Sequence, residues 1–316
     1  MKAKPLIALT VICLMPIFLT LSARETPSDF QAAATPEGFT IEGLVKNPTY
    51  ITYAKLQSFP LLSETTMLQC VGSGQGGAKV TYNWTGVPLF YLLSLAKVIP
   101  GAYREVIFNA TDGFSSSILL EDAMHPTTIM ALWANGTNLE QIKGLGSGYR
   151  VVLPCRWGYK WVKWVKQIIV VDYDYKGYYE QLGYSDEAFR PNCIMPSTNP
   201  PLQSINVTNH GQEYTVQILT NSSLESFTFE DTRLVFKFSG LEGISGYLYI
   251  AFPKELLEGP YQVYIDGNPI DYYQTDTYQK AYLCLAFTNS NHRITIEGLP
   301  TIGNGSMGCT RRPLLK

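Results

Sequence analysis

The sequence predicts an α+β protein: a mixed α/β domain over residues 38–185, then an all-β sandwich over residues 204–300. Three observations lead there. Tyr (21) and Gly (26) are abundant while charged residues make up only 16%, a composition that favours strands joined by tight turns. Apolar residues make up 46% of 316, enough to bury two cores. Four prolines between residues 186 and 203, ending in Asn199-Pro200-Pro201, separate two stretches of different pattern and read as a linker. The net charge of -2 offers no basic face of the kind that binds nucleic acid.

The N-terminus decides the compartment. Lys2 and Lys4 precede an apolar run from Pro5 to Leu21, followed by small Ser22 and Ala23. That is the order of a secretory signal. Residues 1–23 therefore read as a signal peptide or, because Leu21 suits cleavage poorly and the run nears bilayer-spanning length, as an uncleaved membrane anchor. Residues 24–37 are polar and read as a linker. Six Asn-X-Ser/Thr sites, at Asn83, Asn109, Asn135, Asn206, Asn221 and Asn304, agree with a glycosylated protein that is secreted or held at the outer face of the membrane. Cys13 lies in the leader. Cys70, Cys155, Cys193, Cys284 and Cys309 form no CxxC or CxxCH pattern, which excludes a zinc ribbon, a thioredoxin-type site and covalent haem. Outside the cell the default for spaced cysteines is disulfide pairing.

In the first domain, Phe39 to Gly43 reads as a strand into a turn, and Tyr53 to Phe59 as a short helix closed by Pro60. Thr65 to Cys70 is a strand running into a glycine-rich loop. Pro88 to Val98 is a helix with Pro at its first turn and apolar residues nearly all round, hence buried. Glu105–Asn109 and Ser115–Leu120 are strands. Ile129–Ala134 meets the hairpin dipeptide Asn135-Gly136. Arg150–Leu153 and Val165–Val171 are β-branched runs suited to central strands. Past the prolines, seven short strands follow: Ile205–Thr208, Tyr214–Leu219, Leu234–Phe238, Tyr247–Phe252, Tyr261–Ile265, Tyr282–Phe287 and Arg293–Ile296. Their spacing suggests an immunoglobulin-like sandwich serving structure or surface contact. Residues 301–316 have no periodicity and read as a disordered tail.

Two features carry chemistry. Cys70 ends a strand and is followed by Gly72, Gly74, Gly76 and Gly77, so the backbone can approach a ligand closely and present N–H groups to anions. Its thiolate is a soft ligand suited to a heavy metal; a half-cystine beside a flexible loop has the same local appearance. Arg150, Arg156, Lys160, Lys163 and Lys166 then place five cations in a segment without acids, interleaved with Trp157, Tyr159, Trp161 and Trp164. Such charges repel unless solvated or met by an anion. The segment reads equally as a solvated edge strand or as a pocket for a planar, phosphorylated ligand. His125, His210 and His292 have no ligand spacing and read as surface or capping residues.

The motifs LQCVGSGQGG, WTGVPL (84–89), ATDGF (110–114), GYRVVLP, GYKWVKW (158–164) and DYKGYY (174–179), in that order, resemble the molybdopterin-binding domain of the sulfite oxidase family. The resemblance covers residues 37–184. It implies a cofactor of molybdopterin with molybdenum, or with tungsten. By position it implies that Cys70 ligates the metal, that Arg150 and Lys163 hold the cofactor, that Tyr175 stands beside the metal, and that Trp84 lies near the active-site tryptophan. Gly72, Ser73, Gly76, Asp112, Arg156 and Lys160 complete the expected cofactor-binding set, with Cys70, Tyr175 and Arg150 as catalytic residues. The sequence departs from the family at Ser73, where Asn is usual, at Leu145, where a cofactor-binding His is common, and in lacking an Arg pair after Cys70, which argues against sulfite itself. Cys155 stands where relatives often have Gly; it is a free thiol or pairs with Cys193.

The resemblance implies oxygen-atom transfer on a small sulfur-containing or oxyanion substrate, with an external electron carrier and, as in sulfite oxidases, a homodimer through the second domain. The competing expectation is a surface binding protein that keeps the fold without the cofactor.

Overall fold

The structure, a computed structural model, describes residues 37–71, 79–99, 104–142, 144–145, 148–276 and 279–299. The expected leader, most of its linker, the glycine loop and the tail lie outside these residues.

The first half is not the mixed α/β domain that the sequence predicts. Four α-helices occur among the described residues, α1 (Tyr53–Gln57), α2 (Leu89–Ala96), α3 (Leu120–Ala123) and α4 (Tyr178–Gln181), and strands dominate the rest. The β-branched run over residues 165–171 is a central strand, as expected, with strands paired on both of its sides. One sheet runs in the order β2 (Thr49–Thr52), β1 (Gly38–Gly43), β10 (Val165–Val171), β5 (Glu105–Ala110), β6 (Ser115–Leu119). Only its β1–β10 pair is parallel; the other neighbours are antiparallel. The second sheet is β11 (Thr198–Asn199), β3 (Leu62–Gln69), β4 (Lys79–Pro88), β7 (Ile129–Ala134), β8 (Thr137–Asn138), with β9 (Arg150–Val152) also on β7. The expected linker thus supplies a short strand, β11. Residues of both sheets meet in one core, with Phe39, Ile41 and Ile168 from the first and Trp84, Val87 and Ile129 from the second. Sheet covers sheet, so long covering helices are not needed. Asn135 and Gly136 both take positive φ (49° and 76°) between β7 and β8, the backbone that such a tight hairpin demands.

The second half has two five-stranded sheets. One is β12 (Gln203–Asn209), β13 (Gln212–Thr220), β16 (Ser245–Pro253), β20 (Lys280–Thr288), β19 (Tyr273–Asp276). The other is β14 (Ser223–Glu230), β15 (Arg233–Ser239), β21 (His292–Leu299), β17 (Glu258–Ile265), β18 (Asn268–Pro269). Among the described residues, ten strands replace the seven expected. The largest addition, β14, is an edge strand with little burial, so its sequence gives a weak alternation.

Strand β16 is buried on both faces because its alternate residues serve different cores. Leu248, Ile250 and Phe252 fill the space between the two sheets. Tyr247 and Tyr249 point the other way and join the first core, where their rings each lie 5.4 Å from Phe90 of α2. That explains why α2 is apolar nearly all round: all but Ser94 and Leu95 of it is buried. It begins after Pro88 and ends at Lys97, whose φ of 55° closes the helix and whose ammonium pairs with Asp271 of the second half at 2.5 Å.

Candidate active site

Cys70 follows the last residue of β3 and is exposed. The disulfide among the described residues joins Cys155 to Cys193 and leaves Cys70 outside it. The segment after β9 packs against the end of β3. Gly158 sits so close that a Cβ there would lie 3.0 Å from the Gln69 carbonyl oxygen, so only glycine fits without displacing backbone. This contact brings the cationic segment beside the sulfur.

Arg150 opens β9 and forms an antiparallel bridge with Lys163. Its guanidinium is buried. Nη1 donates to the Leu145 carbonyl at 3.0 Å, Nη2 to the Trp161 carbonyl at 2.7 Å, and the group lies 5.8 Å from the Trp84 ring centre. Burial pushes Arg150 down to about 10, and the charge of Cys70 pulls the other way. Leu145 takes part here through its backbone carbonyl. Lys163 stands 3.7 Å from the Trp164 ring centre. Burial, then Arg150, lower its pKa; Asp112 and Cys70 oppose them. Asp112 is fixed in the β5–β6 turn, where its carboxylate accepts the Phe114 N–H at 3.0 Å. The structure therefore brings Cys70, Arg150, Lys163 and Asp112 into one electrostatic neighbourhood.

Other expected residues have other surroundings. Trp84 is wholly buried behind Arg150, donates Nε1 to the Thr66 carbonyl at 3.0 Å and meets Trp161 edge-on. Arg156 donates to both oxygens of Asp122 at 2.8 Å and covers the Phe189 ring at 3.5 Å. Lys160 is buried and pairs with Glu180 at 2.5 Å and Asp186 at 3.3 Å, with the Ser117 carbonyl at 2.8 Å. Tyr175 shares a 2.8 Å hydroxyl contact with Ser115. Arg156 and Lys160 line a separate recess of about 480 Å³ with Glu105, Asp122, Asp174 and Asp186. There the Lys176 ammonium bridges Asp174 (2.8 Å) and Asp186 (2.9 Å). Burial raises the Asp186 carboxyl, but Lys176 and Lys160 together hold it below its ordinary value. Gly72, Ser73 and Gly76 lie outside the described residues.

The sequence singled out Tyr159 but not the rings around it. Phe114, Tyr178, Tyr179 and Tyr184 join it in one cluster, and Cys70 contributes electrostatically at Tyr179. The only local signal was the Tyr pair in DYKGYY, which is too short for a period.

Residues 31–179 match the family described as "Oxidoreductase molybdopterin binding domain". Similar curated proteins include the nitrate reductase [NADPH] of Neurospora crassa, 30% identical over 52% of this chain and 19% of that protein. The putative protein-methionine-sulfoxide reductase subunit YedZ1 of Azospira oryzae is 29% identical over 46% of this chain and 53% of its own length. The protein-methionine-sulfoxide reductase catalytic subunit MsrP of Gluconobacter oxydans is 25% identical over 52% and 56%. The chain thus spans from about a fifth to about half the length of these relatives. Among solved structures, the sulfane dehydrogenase SoxCD of Paracoccus pantotrophus aligns with a TM-score of 0.43 and 19% identity, over 82% of this chain and 65% of that one.

Proposed function

We propose, from the premise that residues 31–179 carry an oxidoreductase molybdopterin-binding domain, that this protein is an extracytoplasmic enzyme transferring an oxygen atom to or from a small sulfur-containing or oxyanion substrate. The observation that carries the reading is that the bridge-paired cations Arg150 and Lys163 lie within electrostatic reach of Cys70 at the end of β3.

The residues fit the cofactor. Arg150 Nε, Trp161 Nε1 and Trp164 Nε1 are buried donors without a protein partner among the described residues. An unpaired buried donor costs about 1–3 kcal/mol. One such donor on Arg150 itself and two on tryptophans of the same segment suit a ring system and phosphate rich in acceptors. Cys70 supplies the soft sulfur that the metal needs.

When bound, the cofactor supplies two-electron chemistry coupled to oxygen transfer. Cys70 would ligate the metal. Arg150 and Lys163 would hold the anionic cofactor, and both are set by the fold before binding, so little reorganisation is needed. Trp84 lies against the Arg150 guanidinium, and Asp112 favours the charged form of Lys163. Electrons pass to or from an external carrier.

Export is supported by the 1–23 leader, by exposed acceptor sites at Asn83, Asn135 and Asn206, and by a disulfide of the kind that persists in oxidising compartments. No helix among the described residues is long and apolar enough to cross a membrane.

Metal analysis of protein from a cofactor-competent host tests the proposal. About one molybdenum or tungsten per chain, lost in Cys70→Ser, is expected. Folded wild-type protein free of both metals would instead support the cofactor-less binding protein.

A further inference from the structure

Exposed apolar side chains are not spread evenly over this chain. Six of the thirteen large ones among the described residues lie within residues 173–195: Tyr173, Leu182, Tyr184, Phe189, Ile194 and Met195. Ile194 is 89% exposed and Phe189 56%. Single exposed apolar residues are ordinary, but a gathering of them marks a contact surface, and aromatic residues and Met are enriched where proteins bind proteins.

The segment is tied down in this exposed state. The Cys155–Cys193 disulfide anchors its end. The Trp157 N–H donates to the Ala188 carbonyl at 2.8 Å, and the Arg190 N–H to the Cys155 carbonyl at 2.9 Å. Arg156 lies over the Phe189 ring, and Tyr184 meets Tyr159 at 5.9 Å. Ala188 and Asn192 take left-handed backbone (φ 55° and 56°), which a non-glycine residue keeps only where its surroundings fix it. A surface ordered on folding loses little entropy on binding.

Acids rim the patch. Asp172 and Glu187 are exposed, and Asp174 and Asp186 share the Lys176 ammonium. Asp122 joins them, because it pairs with the guanidinium that covers Phe189. Asp122, Asp174, Asp186 and Glu187 line one recess, so they are neighbours in space. With the buried Lys160–Glu180 pair set aside, residues 172–187 carry four acids against the single cation Lys176. Such a face repels a second copy of itself, so it does not suit symmetric self-contact. The six Asn-X-Ser/Thr sites all lie outside the segment, which leaves it bare of glycan attachment.

We infer that residues 172–195 form a docking face for a different protein, one that presents an apolar centre ringed by lysine or arginine. The apolar side chains supply the contact that excludes water, and the acids select and orient the partner by charge. This face does not depend on the cofactor.

The probe is a lysine-rich cytochrome c, whose lysines ring an apolar edge, beside the same protein with its lysines acetylated. Binding to the full chain is measured by calorimetry at low and at physiological salt. The native probe is expected to bind at least about tenfold tighter than the acetylated one and to weaken several-fold as salt rises. Ile194→Ser should weaken it about fivefold to tenfold. Asp172→Asn combined with Glu187→Gln should cost about fivefold and flatten the salt dependence. Leu241→Ser, which removes another well-exposed apolar side chain in the second half, should bind within about twofold of wild type. These side chains are all exposed, so the variants should melt with wild type. Equal binding of native and acetylated probe, no binding of either, or an Ile194→Ser variant indistinguishable from wild type overturns the inference. So does a wild-type dimer in sedimentation that Ile194→Ser dissociates, since the occupant would then be a second copy of this chain.

Discussion

Arg150 and Lys163, members of one short segment, are bridge partners across antiparallel backbone, and Cys70 contributes electrostatically at both. Like charges so placed repel. Two backbone carbonyls held by Arg150 and the Trp164 ring beside Lys163 offset that repulsion.

The two cations should separate on mutation. Arg150→Met leaves the Leu145 and Trp161 carbonyls without their donor and should cost about 2–4 kcal/mol of stability together with cofactor. Lys163→Met should lower metal content several-fold while stability changes by less than about 1 kcal/mol. Urea unfolding and metal analysis of both variants check this.

Lys160 should behave as a structural cation. Its partner Glu180 is buried with it, and breaking such a pair from one side costs about 3–5 kcal/mol. Lys160→Met is expected to show that loss in denaturant, with metal per folded chain unchanged. Loss of metal at full stability would return Lys160 to the cofactor site.

Glu64 sets a pH dependence. It lies across from Trp84 on β4 and Thr198 on β11, and neither carboxyl oxygen has a partner among the described residues. Burial raises its pKa to about 9. The folded protein thus keeps a proton that the unfolded chain releases near its ordinary value, so stability falls as pH rises between those two points, by at most about 1.4 kcal/mol per unit. Glu64→Gln should flatten that slope and raise stability at pH 8 by about 1–3 kcal/mol. A slope identical in wild type and variant from pH 5 to 8 would rule this out.

The Cys155–Cys193 disulfide closes a loop with a sequence separation of 38. Cys193→Ser should lower stability by about 2–4 kcal/mol. Reductant should destabilise wild type by a similar amount and leave the variant unaffected, which thermal melts with and without reductant will show.

How much of this was legible depended on sequence distance. Cys70 stood out because its loop is glycine-rich, and Arg150 and Lys163 because no acid accompanies them locally. The same local view does not reveal the partners of Arg156 and Lys160, whose acids Asp122, Glu180 and Asp186 arrive from other segments. The Tyr175–Ser115 contact is equally long-range. The α/β expectation failed for a related reason. A β-branched run such as Val165–Val171 reports burial on both faces, not whether helices or a second sheet cover it. Helix α2 was readable because a Pro start and an all-round apolar surface are properties of the segment alone.

The placement of Phe90 between Tyr247 and Tyr249 has an engineering consequence. Truncating the chain at the prolines would strip the wall from a wholly greasy helix and invite aggregation. Any graft that exchanges the C-terminal half for another module must bring its own aromatic shelf for that helix.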